Sequence, residues 1–147
     1  MDKIGGILVP VAGHPIDEEA VQLACRMAKA TKGRVYTVYV IEVTRTLPLN
    51  AEIEPDVRKG EAVLDRVEQL AEELDFEVES ELLQAREVGP AVVDEAIERG
   101  VDLIVLGVPY KKRFGEFNLG KVAPYVLKNA PCRVWLVRQA ISEIERS

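Results

Sequence analysis

Val101-Asp102-Leu103-Ile104-Val105-Leu106-Gly107 decides how this chain is read. Six residues, five of them apolar, end in a glycine, with no polar alternation. Such a run is a strand buried on both faces, which is the mark of a parallel sheet. A long loop follows, then Gly120-Lys121-Val122 and a helical segment containing Pro124. Proline is tolerated in a first helical turn but not inside, so the helix is predicted to start near Gly120 and Lys121. A strand ending in glycine, a loop and a helix start make a plausible anion site. Ligands bind beyond the carboxyl ends of strands in open α/β sheets, where helix-start N–H groups favour negative charge.

Outward from this stretch, strand and helix signals alternate. Ile7 to Val11 reads as a first buried strand. A helix follows from about Ile16, with Asp17, Glu18 and Glu19 in its first turn, where acids complement the helix dipole. Ala20, Leu23, Ala24, Met27 and Ala28 set its apolar stripe, and Gly33 is expected to end it. Arg34 to Ile41 is a β-rich second strand. Residues 43–55 hold two prolines and read as a loop. Val57 to Leu74 is an amphipathic helix, with Leu64, Val67, Leu70, Ala71 and Leu74 on one stripe. Phe76 to Leu83 alternates and predicts a half-exposed strand near a sheet edge. Gly89-Pro90 opens a helix with Val92, Val93, Ala96 and Ile97 buried and Gly100 past its end. Arg133 to Val137 is the last strand, and residues 139–147 form a polar tail. The pattern is one doubly wound α/β sheet in residues 1–138.

The chain has 147 residues, 48% hydrophobic and 30% charged, which fits one domain with one core. No apolar run reaches membrane-span length, so no direct membrane insertion is expected. No signal-peptide pattern follows Met1, so a cytoplasmic location is expected. Cys25 and Cys132 lie far apart among apolar neighbours and read as reduced thiols. The net charge of −6 argues against nucleic-acid binding. Charge is unevenly placed. Residues 108–121 carry Lys111, Lys112, Arg113 and Lys121 against Glu116, a local +3 that leaves −9 elsewhere. This loop is a candidate for a small anion, set against a merely solvated surface.

Three features are weighed against catalysis. Gly115 to Lys121 has P-loop spacing, but Val122 replaces the magnesium-binding hydroxyl and no strand precedes it, so the match is coincidence. His14 is the only histidine, and no ligand cluster surrounds it in sequence; it reads as a loop residue that can touch a ligand. No paired carboxylates stand out. No catalytic residue, metal site or enzymatic activity is expected.

The order of elements and several motifs resemble the universal stress protein family across Ile4 to Arg138. They are Pro10-Val11-Ala12, Gly89-Pro90, Asp102 to Gly107, Gly107-x2-Tyr110-x9-Gly120-Lys121, and Ala130-Pro131-Cys132-Arg133-Val134. The resemblance implies a single five-stranded parallel sheet in order 3-2-1-4-5. This is a Rossmann-like fold of the adenine nucleotide alpha hydrolase type. It implies a cytoplasmic homodimer tied to stress responses and paired through the last strand, Arg133 to Arg138; on that apolar edge Trp135, a large aromatic, is the expected anchor, set against packing under a helix of its own subunit. In nucleotide-binding members, adenine and ribose lie at positions matching Pro10, Val11, Ala12 and Val40. The triphosphate lies at positions matching Leu106, Gly107, Pro109, Tyr110, Gly120, Lys121 and Val122. Three positions depart from the pattern. Ala12 replaces an aspartate, Tyr110 a glycine and Lys121 a serine or threonine. Tyrosine adds a Cβ and ring where backbone would approach phosphate. The function expected is a dimeric regulatory or interaction module with a degenerate nucleotide site. The alternative is a sensor of ATP, ADP or AMP with a remodelled phosphate loop.

Overall fold

A computed structural model describes residues 4–142. Strand β1 (Gly6–Val11) leads into helix α1 (Pro15–Thr31), β2 (Arg34–Glu42) and α2 (Glu54–Glu73). Then come β3 (Glu79–Ala85), α3 (Val88–Arg99) and β4 (Leu103–Val108). A short hairpin, β5 (Lys111–Arg113) and β6 (Glu116–Asn118), precedes α4 (Val122–Asn129) and β7 (Arg133–Arg138). The main sheet is five-stranded and parallel throughout, in order β3-β2-β1-β4-β7. This is the expected 3-2-1-4-5 order once the hairpin strands are set aside.

Successive side chains of a strand point to opposite faces, and here both faces are covered. Ile7, Val9, Val11, Leu103 and Val105 pack under α1 and α2, against Ala20, Ala24, Ala28, Leu64 and Val67. Leu8, Ile104 and Leu106 pack on the other face, against Val92, Ala96 and Val126. Strands β1 and β4 are apolar at every position because neither face meets water.

Several boundaries differ from expectation. Helix α2 begins at Glu54, one turn early, with Pro55 in its first turn. Proline there costs no hydrogen bond, so the residue read as a loop marker is a helix starter. Strand β3 begins at Glu79, not Phe76. Phe76 and Val78 still pack on the core, so burial alternates before ladder pairing starts. Ile97 is 58% exposed rather than buried. The turn out of α1 is made by Lys32, with φ +57, and not by Gly33. Gly33 answers a different need: a Cβ there would lie 2.7 Å from the Ile4 carbonyl oxygen. Only glycine lets the α1–β2 connection pass that close to the chain entering β1. Of the tail, residues 143–147 lie outside the described residues. Gln139 continues the sheet end, its N–H donating to the Val108 carbonyl at 2.8 Å.

The two sheet edges differ. On β3, Glu79 and Glu81 are gripped by Arg99 of α3, at 3.3 and 2.8 Å, and its guanidinium lies 4.7 Å over the Tyr36 ring. A charged, tied-down edge resists pairing with another chain. On β7 the central residues Val134 to Val137 are all apolar, and charge is confined to Arg133 and Arg138 at its ends.

Both cysteines are free thiols. Cys25 is fully buried under the sheet, and burial pushes its thiol up to about 11. Thiolate is the reactive form, so a raised value leaves almost none at neutral pH. Cys132, half-buried, is pushed up by burial as well. A disulfide reagent at pH 8 is therefore expected to modify Cys132 slowly and Cys25 only on unfolding. Rapid modification of two thiols in native buffer would contradict the packing of α1.

Candidate functional site

The sheet reverses its winding between β1 and β4, and ligand crevices open at such a switch point. A cavity of about 260 Å³ lies there. Its floor is Pro10, Val11 and Ala12 from the end of β1, with Leu106, Gly107 and Pro109 from the end of β4. Lys111 and Asn118 of the hairpin, with Gly120, Lys121 and Val122 at the start of α4, form one wall. His14 and Asp17 of α1 form another. Nine of the eleven positions singled out from the sequence thus line one cavity. Tyr110 and Val40 do not: Val40 sits within β2 against the α3-side core.

Asp17 was legible only as a dipole-complementing acid, yet it organises this end of the fold. Its Oδ2 accepts the N–H groups of Ala12, Gly13 and His14 at 2.7, 2.9 and 3.1 Å. The β1–α1 loop is thereby wrapped around the chain's own carboxylate. Burial pushes the Asp17 carboxyl above its ordinary range, against the pull of those three donors. Gly107 permits this arrangement. A Cβ there would crowd Asp17 Oδ1 and Ile16 Cγ2, each at 3.2 Å. Ala12 brings no polar side chain, and Asp17 supplies the nearest carboxylate from five residues on.

The loop after β4 is folded. Phe114 and Gly115 turn the hairpin with φ of +54 and +79, the signs of a type I′ turn. Tyr110 stacks on Phe117 with ring centroids 5.1 Å apart, and Arg138 lies over both rings at 5.2 and 5.7 Å. The Tyr110 N–H donates to Gln139 Oε1 at 3.2 Å. At the mouth of α4, the Gly120 N–H donates to Asn118 Oδ1 at 2.6 Å. The hairpin accounts for the P-loop-like spacing: Gly115 is a turn residue and Gly120 precedes a helix.

The sequence model of the universal stress protein family matches residues 4–138. A universal stress protein of Methanocaldococcus jannaschii is 31% identical over 143 residues, covering 93% of this chain and 84% of that one. The chain belongs to the universal stress protein family. Its fold agrees. A universal stress protein of Archaeoglobus fulgidus superposes with a TM-score of 0.76 at 24% identity, over 90% of this chain and 97% of that one. A structure of the Archaeoglobus fulgidus protein in complex with dAMP gives 0.72 at 23% identity, over 92% and 98%.

Within this family member, the three departures have structural counterparts. Tyr110 anchors the hairpin by stacking. Lys121 sits on the cavity wall as the residue before α4. Ala12 offers no carboxylate, and its own N–H donates to Asp17 Oδ2. Among the described residues, no group of three or more His, Cys, Asp or Glu is placed to hold a metal ion.

Proposed function

We propose that this universal stress protein is a non-catalytic regulatory module whose β1/β4 cavity takes an adenine nucleotide with a short phosphate, AMP rather than ATP. One observation carries this reading. The cavity presents Lys111 and Lys121, while backbone donors that could meet further phosphates are occupied by Asp17 and Asn118. Two cations suit one phosphate dianion, and lysine binds it as a flexible point charge. Tyr110 also stands where a glycine would let the backbone approach a longer phosphate chain. The Archaeoglobus fulgidus structure containing dAMP supports adenine as the base. The bound state is relayed to a protein partner, with the chain acting as a homodimer paired through β7.

Calorimetric titration tests this. AMP is expected to bind, with ATP no tighter. Replacing Tyr110 by Gly, Lys121 by Ser and Ala12 by Asp is expected to raise ATP affinity about tenfold, by reopening the loop and restoring polar contacts. ATP binding the unmodified chain as tightly as the triple variant would overturn the proposal. Absence of heat from millimolar AMP and ATP alike would favour the second reading, a ligand-free interaction module, to which the stacked Tyr110 also points.

A further inference from the structure

The hairpin carries a feature that neither the cavity nor the core uses. All six residues of β5 and β6 are exposed. At its tip the Phe114 ring is 94% exposed. Phe114 also adopts φ +54, a left-handed conformation in which a bulky residue is strained and where Asn, Asp or Gly is preferred. The fold gains no burial from this ring and bears backbone strain to display it. Beside it stand Lys111, Lys112 and Arg113, and residues 108–121 carry a net +3 against −9 for the rest of the chain.

The stem is firm. The Tyr110–Phe117 stack, with Arg138 over both rings, fixes the hairpin to the end of β7. Three residues of strand reach about 10 Å. That is about one Debye length at physiological salt, so the acidic body behind is largely screened from whatever the tip meets.

We propose that this hairpin docks the protein on a bilayer rich in anionic lipids, with Phe114 seated at the headgroup–acyl boundary and Lys112 and Arg113 on lipid phosphates. A single projecting aromatic, with Arg113 5.5 Å over its ring and Lys111 and Lys112 outnumbering Glu116 across the hairpin, matches an interface that is apolar just beneath an anionic layer. A folded protein partner requires a broader complementary surface than a three-residue hairpin presents. The expectation of no membrane insertion rests on the absence of a long apolar run. Among the described residues no helix is long and apolar enough to cross a membrane, and contact at headgroup depth needs none.

Flotation of the full chain with vesicles tests the proposal, comparing phosphatidylcholine alone with phosphatidylcholine containing phosphatidylglycerol. Neither Phe114, Lys112 nor Arg113 lines the nucleotide cavity, so the outcome is independent of nucleotide binding. The chain is expected to float with anionic vesicles only, and less at higher salt. Phe114→Asn, which suits the turn and keeps the melting temperature, is expected to lower partitioning about tenfold. Lys112→Ser with Arg113→Ser is expected to lower it about twentyfold. No flotation with anionic vesicles, equal flotation with neutral ones, or unchanged flotation of either variant would overturn the proposal. Unchanged flotation of both variants would overturn it and assign binding to a different surface of the protein.

Discussion

Asp17→Ala is expected to lower the unfolding free energy by about 2 kcal/mol, the cost of stranding partly buried N–H groups without their acceptor. Three donors converge on one oxygen, Asp17 Oδ2, and the side chain is buried. Water entering the cavity can recover part of the loss, which holds the expectation at about 2 kcal/mol rather than a multiple of it. For a chain of this size that is a fall of about 4–8 °C in melting temperature. Asp17→Asn keeps a carbonyl acceptor in the same place and loses only its charge, so its cost is expected to be about 1 kcal/mol. Urea denaturation of the three proteins checks the order. A wild-type-like Asp17→Ala would show that the β1–α1 loop holds itself and that the carboxylate only decorates it.

Trp135→Glu is expected to dissociate the proposed homodimer by about a thousandfold. In an isologous interface one substitution acts twice, and a buried tryptophan anchor is worth about 2 kcal/mol or more on each side. The side chain is 36% exposed at the open edge, whereas its neighbours Val134 and Leu136 pack on the α3-side core. Val137→Glu is a poorer probe, because Val137 packs against the core beneath α1 and its loss would also destabilise the subunit. Sedimentation at tens of micromolar decides the matter. A monomeric wild type removes the homodimer, and a folded Trp135→Glu with unaltered association removes only the anchor.

The parallel sheet could be read from the chain because its inner strands are buried on both faces. Ile7 to Val11 and Leu103 to Leu106 leave no polar position to misplace. The edge strand was harder. Phe76 and Val78 contact the core without joining the ladder, so burial and pairing begin at different residues. Local capping chemistry was legible at Gly100 but misread at Gly33, whose role is close approach to a distant carbonyl. That approach is a tertiary fact with no local signal.

The candidate site divides in the same way. Residues at the ends of β1 and β4 and at the start of α4 were placed by strand and helix boundaries, and they line the cavity. The hairpin was not foreseen. Its strands are three residues long and mostly charged, and only Gly115 carries turn preference. The role of Asp17 was hidden because a carboxylate in a first helical turn already has an ordinary explanation. That it reaches back to Ala12 follows from how the loop closes.

The unequal edges of the sheet set a limit on growth. Each copy offers one strand, β7, that a neighbour can extend, while β3 is closed off by Glu79, Glu81 and the Arg99 that holds them. The proposed pairing of β7 with β7 across a two-fold axis would consume both extendable strands at once and leave a charged β3 at each end of a ten-stranded whole. In such a dimer growth would stop at the second subunit, because the edge left at each end would be the charged one.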